Sequence, residues 1–121
     1  MLDIFKKCLD AGLDVFVFAD ININTSPESS HNSDYNITSL NDSYMEFKIT
    51  SGLVQLNKEF TRYASNSRPT LLDHILTNRP SLVKKIVTKT NTISDHCHIL
   101  TEISLTPHVE LPKFRIVRNW T

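Results

Sequence analysis

The most regular pattern in the sequence is an apolar run, Val15-Phe16-Val17-Phe18-Ala19, that ends at two polar residues, Asp20 and Asn22. An unbroken run of strand-forming residues predicts a β-strand that is buried on both faces. Because alternate residues of a strand share a face, Asp20 and Asn22 are expected to point into one cleft. Functional sites of layered α/β folds lie at strand ends, so this pair is the first candidate for chemistry.

Further apolar patterns predict the elements on either side of this strand. Residues 2–12 carry apolar side chains at helical spacing, and Gly12 is placed to end that helix. Residues 24–43 are rich in Ser, Asn and Asp and predict a long mobile loop, which leads into a short amphipathic helix at 40–51. The remaining apolar runs predict four strands, at 53–56, 70–77, 83–89 and 97–105.

Composition narrows the class of protein. The chain has 121 residues, about one small domain, and 13 basic side chains balance 13 acidic ones, so net charge gives no support for nucleic-acid binding. Two cysteines, Cys8 and Cys97, are too few for a disulfide scaffold and predict buried free thiols in a reducing compartment. No apolar run approaches the roughly 20 residues of a membrane span, and the charged N-terminus does not fit a signal peptide. We therefore expect an intracellular protein, nuclear or cytoplasmic, with no membrane partner.

Three short polar groups lie in or beside the predicted strands: Asp20 with Asn22, Asp73, and Asp95 with His96. Carboxylates suit a hard Mg²⁺ ion, and an imidazole can act as the base that activates water. This inventory fits metal-assisted hydrolysis of a phosphodiester, with His96 as the base and Asp73 orienting it.

Other interpretations remain open for each group taken singly. An Asp after a strand also fits a turn or a helix cap, and a carboxylate within an apolar strand fits a structural partner as well as a functional one. His74 is predicted to be a partly exposed strand residue. A zinc site from His96, Cys97 and His98 is disfavoured, since adjacent strand residues face opposite ways.

Taken together, the polar groups carry a family resemblance. The segment 18–22, Phe-Ala-Asp-Ile-Asn, resembles the Gly-Asp-x-Asn motif of the endonuclease/exonuclease/phosphatase superfamily. The segment 70–78 is similar to the Ile-Asp-Tyr-type motif of that superfamily, and Ser94-Asp95-His96 is similar to its terminal Ser-Asp-His motif. Within the superfamily, the chain is most similar to endonuclease domains of non-LTR (LINE-like) retrotransposons. This similarity lies in Phe60-Thr61-Arg62 and in the residues around Asp73 and His96.

The resemblance implies a fold and an activity. The expected fold class is α/β: the C-terminal half of a four-layer α/β sandwich of the deoxyribonuclease I (DNase I-like) type, with mostly antiparallel strands and about two helices. It spans residues 1–106, and 107–121 are a basic exit segment or linker. The implied activity is Mg²⁺- or Mn²⁺-dependent cleavage of DNA, which leaves a 3′-hydroxyl that primes reverse transcription.

The resemblance also implies a role for each matching polar residue. Asp20 manages a proton on the nucleophile or the leaving group, and Asn22 holds a phosphate oxygen or positions Asp20. Asp73 orients His96, which serves as the base or as a donor to the transition state.

Two residues of the same motifs are implied to bind metal and substrate. Asp95 acts near or on the metal, and Arg62 contacts a DNA phosphate, although from the sequence a solvated surface arginine is the favoured interpretation of Arg62.

The sequence departs from the family pattern in two ways. Ala19 replaces the usual glycine, and the Asn and Glu motifs of the N-terminal half of the family domain are not found in the chain. The metal site therefore looks incomplete, and we expect the chain alone to be inactive, with the N-terminal half and a reverse transcriptase domain as partners in the parent protein. Two alternatives stay open: a phosphomonoesterase or phospholipase of the same superfamily, and a non-catalytic remnant.

Overall fold

A computed structural model describes residues 2–27 and 35–106 of the chain. The described part contains two α-helices and two antiparallel sheets, as the α/β prediction expects. The elements in chain order are α1 (Leu2–Asp10), β1 (Phe16–Asp20), α2 (Tyr35–Ser51), β2 (Val54–Gln55), β3 (Asp73–Thr77), a 3-10 turn (Pro80–Leu82), β4 (Val83–Lys89) and β5 (His98–Ile103).

Strand β3 is the centre of the first sheet, which has the order β1-β3-β2. Its apolar residues Ile75 and Leu76 are each 1% exposed, so the strand is buried on both faces. Both neighbours run antiparallel to it, and the register with β1 pairs Asp20 with Asp73 and Phe18 with Ile75. Paired residues of an antiparallel ladder share a face, so both carboxylates lie on the same side of the sheet.

The helices cover the other side of this sheet. Tyr44 of α2 is buried with Leu76 of β3, and Phe47 and Val17 pack against the same cluster. Phe5 of α1 meets Phe47 edge to face, with 6.1 Å between the ring centres. Because strand residues alternate between faces, the positions next to Val17 and Leu76 face away from α2. The helices therefore lie on the opposite side of the sheet from Asp20 and Asp73.

Strands β4 and β5 form a separate two-stranded sheet, and the loop between them carries Asp95 and His96. This loop is attached to the first sheet through residues 61–63. The Cys97 amide donates to the Thr61 carbonyl at 2.7 Å, and the Tyr63 amide donates to the Asp95 carbonyl at 2.8 Å. These bonds bring the β4–β5 loop to the end of β3 where Asp73 lies.

Glycines end both helices, as predicted. Gly12 has φ of 70° and Gly52 has φ of 68°, in the left-handed region where a Cβ is strained. The predicted strands at 53–56, 70–77, 83–89 and 97–105 are confirmed as β2 to β5; β4 has the predicted bounds, and the other three are shorter. No helix in the described part of the chain is long and apolar enough to cross a membrane.

Two expectations about local structure are wrong. Helix α2 begins at Tyr35, so residues 35–39 are helical rather than loop, because Tyr44 and Phe47 anchor a helix whose first turns have little apolar pattern of their own. Strand β1 is not buried on both faces: Phe18 is 54% exposed, since the helices cover one side only. Residues 28–34 and the predicted exit segment 107–121 lie outside the described residues.

Candidate active site

Three of the predicted site residues meet at one point. One ligand atom from each of Asp20, Asp73 and His96 lies within 4.8 Å of the others. The antiparallel register brings Asp20 and Asp73 opposite each other, and the β4–β5 loop adds His96. Residues up to 76 positions apart in sequence are thus gathered at one end of the sheet.

His96 and Asp73 form the shortest side-chain contact of this cluster. The Nδ1–H of His96 donates to Oδ2 of Asp73 at 2.8 Å. Since a carboxylate only accepts, this bond places the proton on Nδ1 and leaves Nε2 for another partner. This is the arrangement predicted for Asp73 as the residue that orients His96.

The cluster favours positive charge. Asp20 and Asp73 are opposite one another on paired strands, where like charges repel. The hydrogen bond from His96 to Asp73, aided by the nearby charge of Asp20 and Asp95, raises the pKa of His96 above its ordinary value. The imidazolium form or a bound cation therefore offsets the repulsion between the carboxylates.

Asn22 supports Asp20 through its backbone. Its N–H donates to Oδ1 of Asp20 at 3.0 Å, which closes a tight turn just after β1. The turn needs a left-handed residue, and Asn22 has φ of 59°, a conformation that asparagine tolerates better than most residues. The structure thus relates Asn22 to the positioning of Asp20, while contact of its side chain with a phosphate stays a prediction.

Arg62 and Asp95 bind each other. The Nε–H of Arg62 donates to Oδ2 of Asp95 at 2.7 Å, and both side chains are more than a third exposed. This hydrogen bond holds the pKa of Asp95 below its ordinary value. Asp95 is not part of the three-residue cluster, so its role as a metal ligand, like the phosphate contact of Arg62, stays a prediction.

Sequence reasoning missed two buried polar residues that hold the backbone of Asp73. The Oγ1 of Thr61 accepts the amides of Leu72 and Asp73, each at 3.0 Å, and Thr61 is fully buried. The side-chain amide of Asn57 donates to the Asp73 carbonyl at 2.7 Å and accepts the Ile75 amide at 2.9 Å. The only sequence signal was a polar residue after each short apolar run, which gives no indication of burial.

His74 contradicts its predicted position, because it is 1% exposed rather than partly exposed. Its Nδ1 accepts the hydroxyl of Tyr44 at 2.6 Å, and its Nε2–H donates to the Leu71 carbonyl at 3.1 Å. Burial lowers the pKa of His74 and raises that of Tyr44 to about 12. The error came from treating the face opposite Asp73 as open, whereas α2 covers it. His74 is thus a neutral structural residue.

The donor set of the cluster fits a divalent cation. Two carboxylates and an imidazole within 4.8 Å suit Mn²⁺, and the carboxylates alone suit Mg²⁺. No cysteine belongs to this group, and the thiol of Cys97 lies 4.0 Å from the carbonyl oxygen of Phe60. The group therefore has ligand types found in Mg²⁺ and Mn²⁺ sites, and it does not include Cys97, which the zinc alternative of His96, Cys97 and His98 requires.

A scan of the chain against models of known protein families and a search among curated proteins both found no match.

Proposed function

We propose that this site is part of a centre that hydrolyses phosphodiester bonds of DNA with the help of Mg²⁺ or Mn²⁺, in the endonuclease domain of a retrotransposon polyprotein, and that activity needs the N-terminal half of that domain. The observation that carries the proposal is the meeting of Asp20, Asp73 and His96, each from a different motif of the resemblance, within 4.8 Å. An unrelated sequence with three chance matches has no reason to bring all three side chains together. The finer fold, part of a DNase I-like sandwich, belongs to the same proposal and is supported by the antiparallel sheets with helices on one side.

The roles of the residues follow from their contacts. Asp73 fixes the ring of His96 at 2.8 Å and raises its basicity, so Nε2 is the atom that takes or gives a proton. Asp20 and Asp73 are the oxygen ligands that would hold the ion. When bound, the metal ion supplies charge stabilisation to the phosphate and to the attacking oxygen.

Two measurements test this proposal. Mn²⁺ binding, followed by electron paramagnetic resonance of the free ion, is expected for the wild type and should be lost in Asp20→Asn together with Asp73→Asn. Nicking of supercoiled plasmid, with the parent domain's other half added where it is needed for turnover, should fall about 10²- to 10⁴-fold in His96→Gln, the contribution expected of a general base. His98→Gln is the matched control, since His98 is exposed on β5 and should leave both readouts unchanged.

The same experiment separates the alternatives. Hydrolysis of a phosphomonoester or a phospholipid in preference to plasmid DNA would favour another member of the superfamily. A chain that folds but binds no Mn²⁺ and, with the parent domain's other half supplied, cleaves none of these substrates would favour the non-catalytic remnant. The proposal fails in either case.

A further inference from the structure

Arg62 lies between the two segments that carry the reacting pair. Its backbone amide donates to the Thr70 carbonyl at 3.0 Å, and the Thr70 amide donates back at 3.0 Å, which ties Arg62 to the segment that leads into β3. A second antiparallel bridge links Arg62 to His96. Arg62 is thus paired both with the segment that leads into Asp73 and with His96.

The side chain of Arg62 extends this connection to the β4–β5 loop. Its Nε–H···Oδ2 bond of 2.7 Å fixes Asp95, the residue next to His96. The other side of the loop is closed by Ser94, whose hydroxyl accepts the His96 amide at 3.1 Å. A short charge-assisted bond at this point restricts where the loop, and with it the imidazole, can lie.

We propose that Arg62 is a positioning residue, which holds the Asp95–His96 segment so that Nδ1 of His96 meets Asp73, rather than a contact to a DNA phosphate. The carboxylate of Asp95 already compensates much of the charge that a phosphate contact would use. The inference rests on the proposed function only in naming His96 and Asp73 as the reacting pair.

The test measures whether Arg62 controls the interaction between His96 and Asp73. A double-mutant cycle of Asp73→Asn and His96→Gln, followed by urea unfolding at one pH, gives their coupling in the wild-type chain. A charge-assisted hydrogen bond that is partly exposed corresponds to about a three- to tenfold coupling in the unfolding equilibrium constant. The cycle is then repeated in the Arg62→Gln background and in a control background.

Arg79→Gln is the matched control. Arg79 forms a similar exposed ion pair with Asp14, with 3.2 Å between the two charged groups, and neither residue belongs to the cluster. We expect the His96–Asp73 coupling to survive in the Arg79→Gln background and to disappear in Arg62→Gln. If Arg62 contributes only to overall stability, its replacement lowers the free energy of unfolding of all four proteins of the cycle equally, and the coupling stays intact. Intact coupling in Arg62→Gln, or no coupling in the wild type, overturns the inference. Arg62→Lys repeats the test where Arg62→Gln fails to fold, since lysine keeps the charge but lacks the Nε–H.

A second readout addresses the competing role. For a phosphate contact, Arg62→Gln reduces the slope of log affinity for DNA against log salt by about one. For a positioning residue, the slope equals that of the wild type. A chain that binds no DNA counts against the proposed function, while the coupling measurement still decides the role of Arg62.

Discussion

Thr61 offers the sharpest test of how the backbone of the site is held. Its side chain is fully buried, and its single oxygen accepts two amides, those of Leu72 and Asp73, at 3.0 Å each. Thr61→Val has nearly the same shape but replaces that oxygen with a methyl group. The substitution therefore removes hydrogen bonding without creating a cavity.

The magnitude follows from the two amides left without a partner. Each buried amide that loses its acceptor costs about 1–3 kcal/mol, and burying the added methyl returns about 1 kcal/mol. We expect Thr61→Val to lower the free energy of unfolding by about 1–5 kcal/mol, a large part of the stability of a small domain. Thr61→Ser keeps the oxygen and loses one methyl group, so its expected cost is about 1 kcal/mol.

Urea unfolding of the wild type and both variants, followed by circular dichroism, measures this difference. Amide hydrogen exchange should show the largest gain in rate at Leu72 and Asp73 in the valine variant. If Thr61→Val costs no more than Thr61→Ser, the two bonds to Oγ1 contribute nothing measurable, and the argument for Thr61 as a support of Asp73 fails.

Two further predictions concern the buried histidine and the end of α2. Burial lowers the pKa of His74 below its ordinary 6.5, so the unfolded chain takes up the proton first, and the stability from neutral His74 is full above pH 6.5 and falls as the pH drops below it. Urea unfolding between about pH 5 and 7.5 should show a steeper acid loss in the wild type than in His74→Gln, and parallel profiles would contradict the assignment. Gly52→Ala places a Cβ at φ of 68° and should cost about 1 kcal/mol, although that Cβ would meet no atom within 4 Å beyond the adjoining backbone. Gly52→Asn should cost less, because asparagine tolerates this conformation, and equal costs would refute backbone strain as the cause.

The sequence was most informative where one face of a strand carries chemistry. The motifs predicted one cleft for five residues: Asp20, Asn22, Asp73, Asp95 and His96. The structure brings ligand atoms of Asp20, Asp73 and His96 within 4.8 Å, and Asn22 and Asp95 are not in that group. The glycines that end both helices and the positions of the later strands were also predicted from local rules. A helix end with positive φ favours glycine, and runs of β-branched residues favour strands.

The parts that could not be predicted depend on contacts between distant segments. The first turns of α2 carry no periodic apolar pattern, and the helix is stabilised by Tyr44 and Phe47 packing on the sheet. The burial of Thr61 depends on its bonds to residues 11 and 12 positions away. The pairing of Arg62 with Asp95 spans 33 positions, and either residue alone is indistinguishable from a solvated surface charge.

Adjacent residues Asp73 and His74 show how strand alternation separates chemistry from structure. Asp73 lies on the face opposite α2 and accepts a hydrogen bond from His96, whereas His74 faces α2 and contacts Tyr44 and Leu71. The pKa values of the two imidazoles are consequently shifted in opposite directions: contact with a carboxylate raises the pKa of His96, and burial lowers that of His74. A one-residue slip of β3 would exchange these environments, burying the carboxylate and exposing the neutral histidine. The hydrogen bonds of Thr61 and Asn57 to the backbone of residues 72–75 oppose such a slip, and this is why the support of the strand matters as much to the site as the ligand atoms themselves.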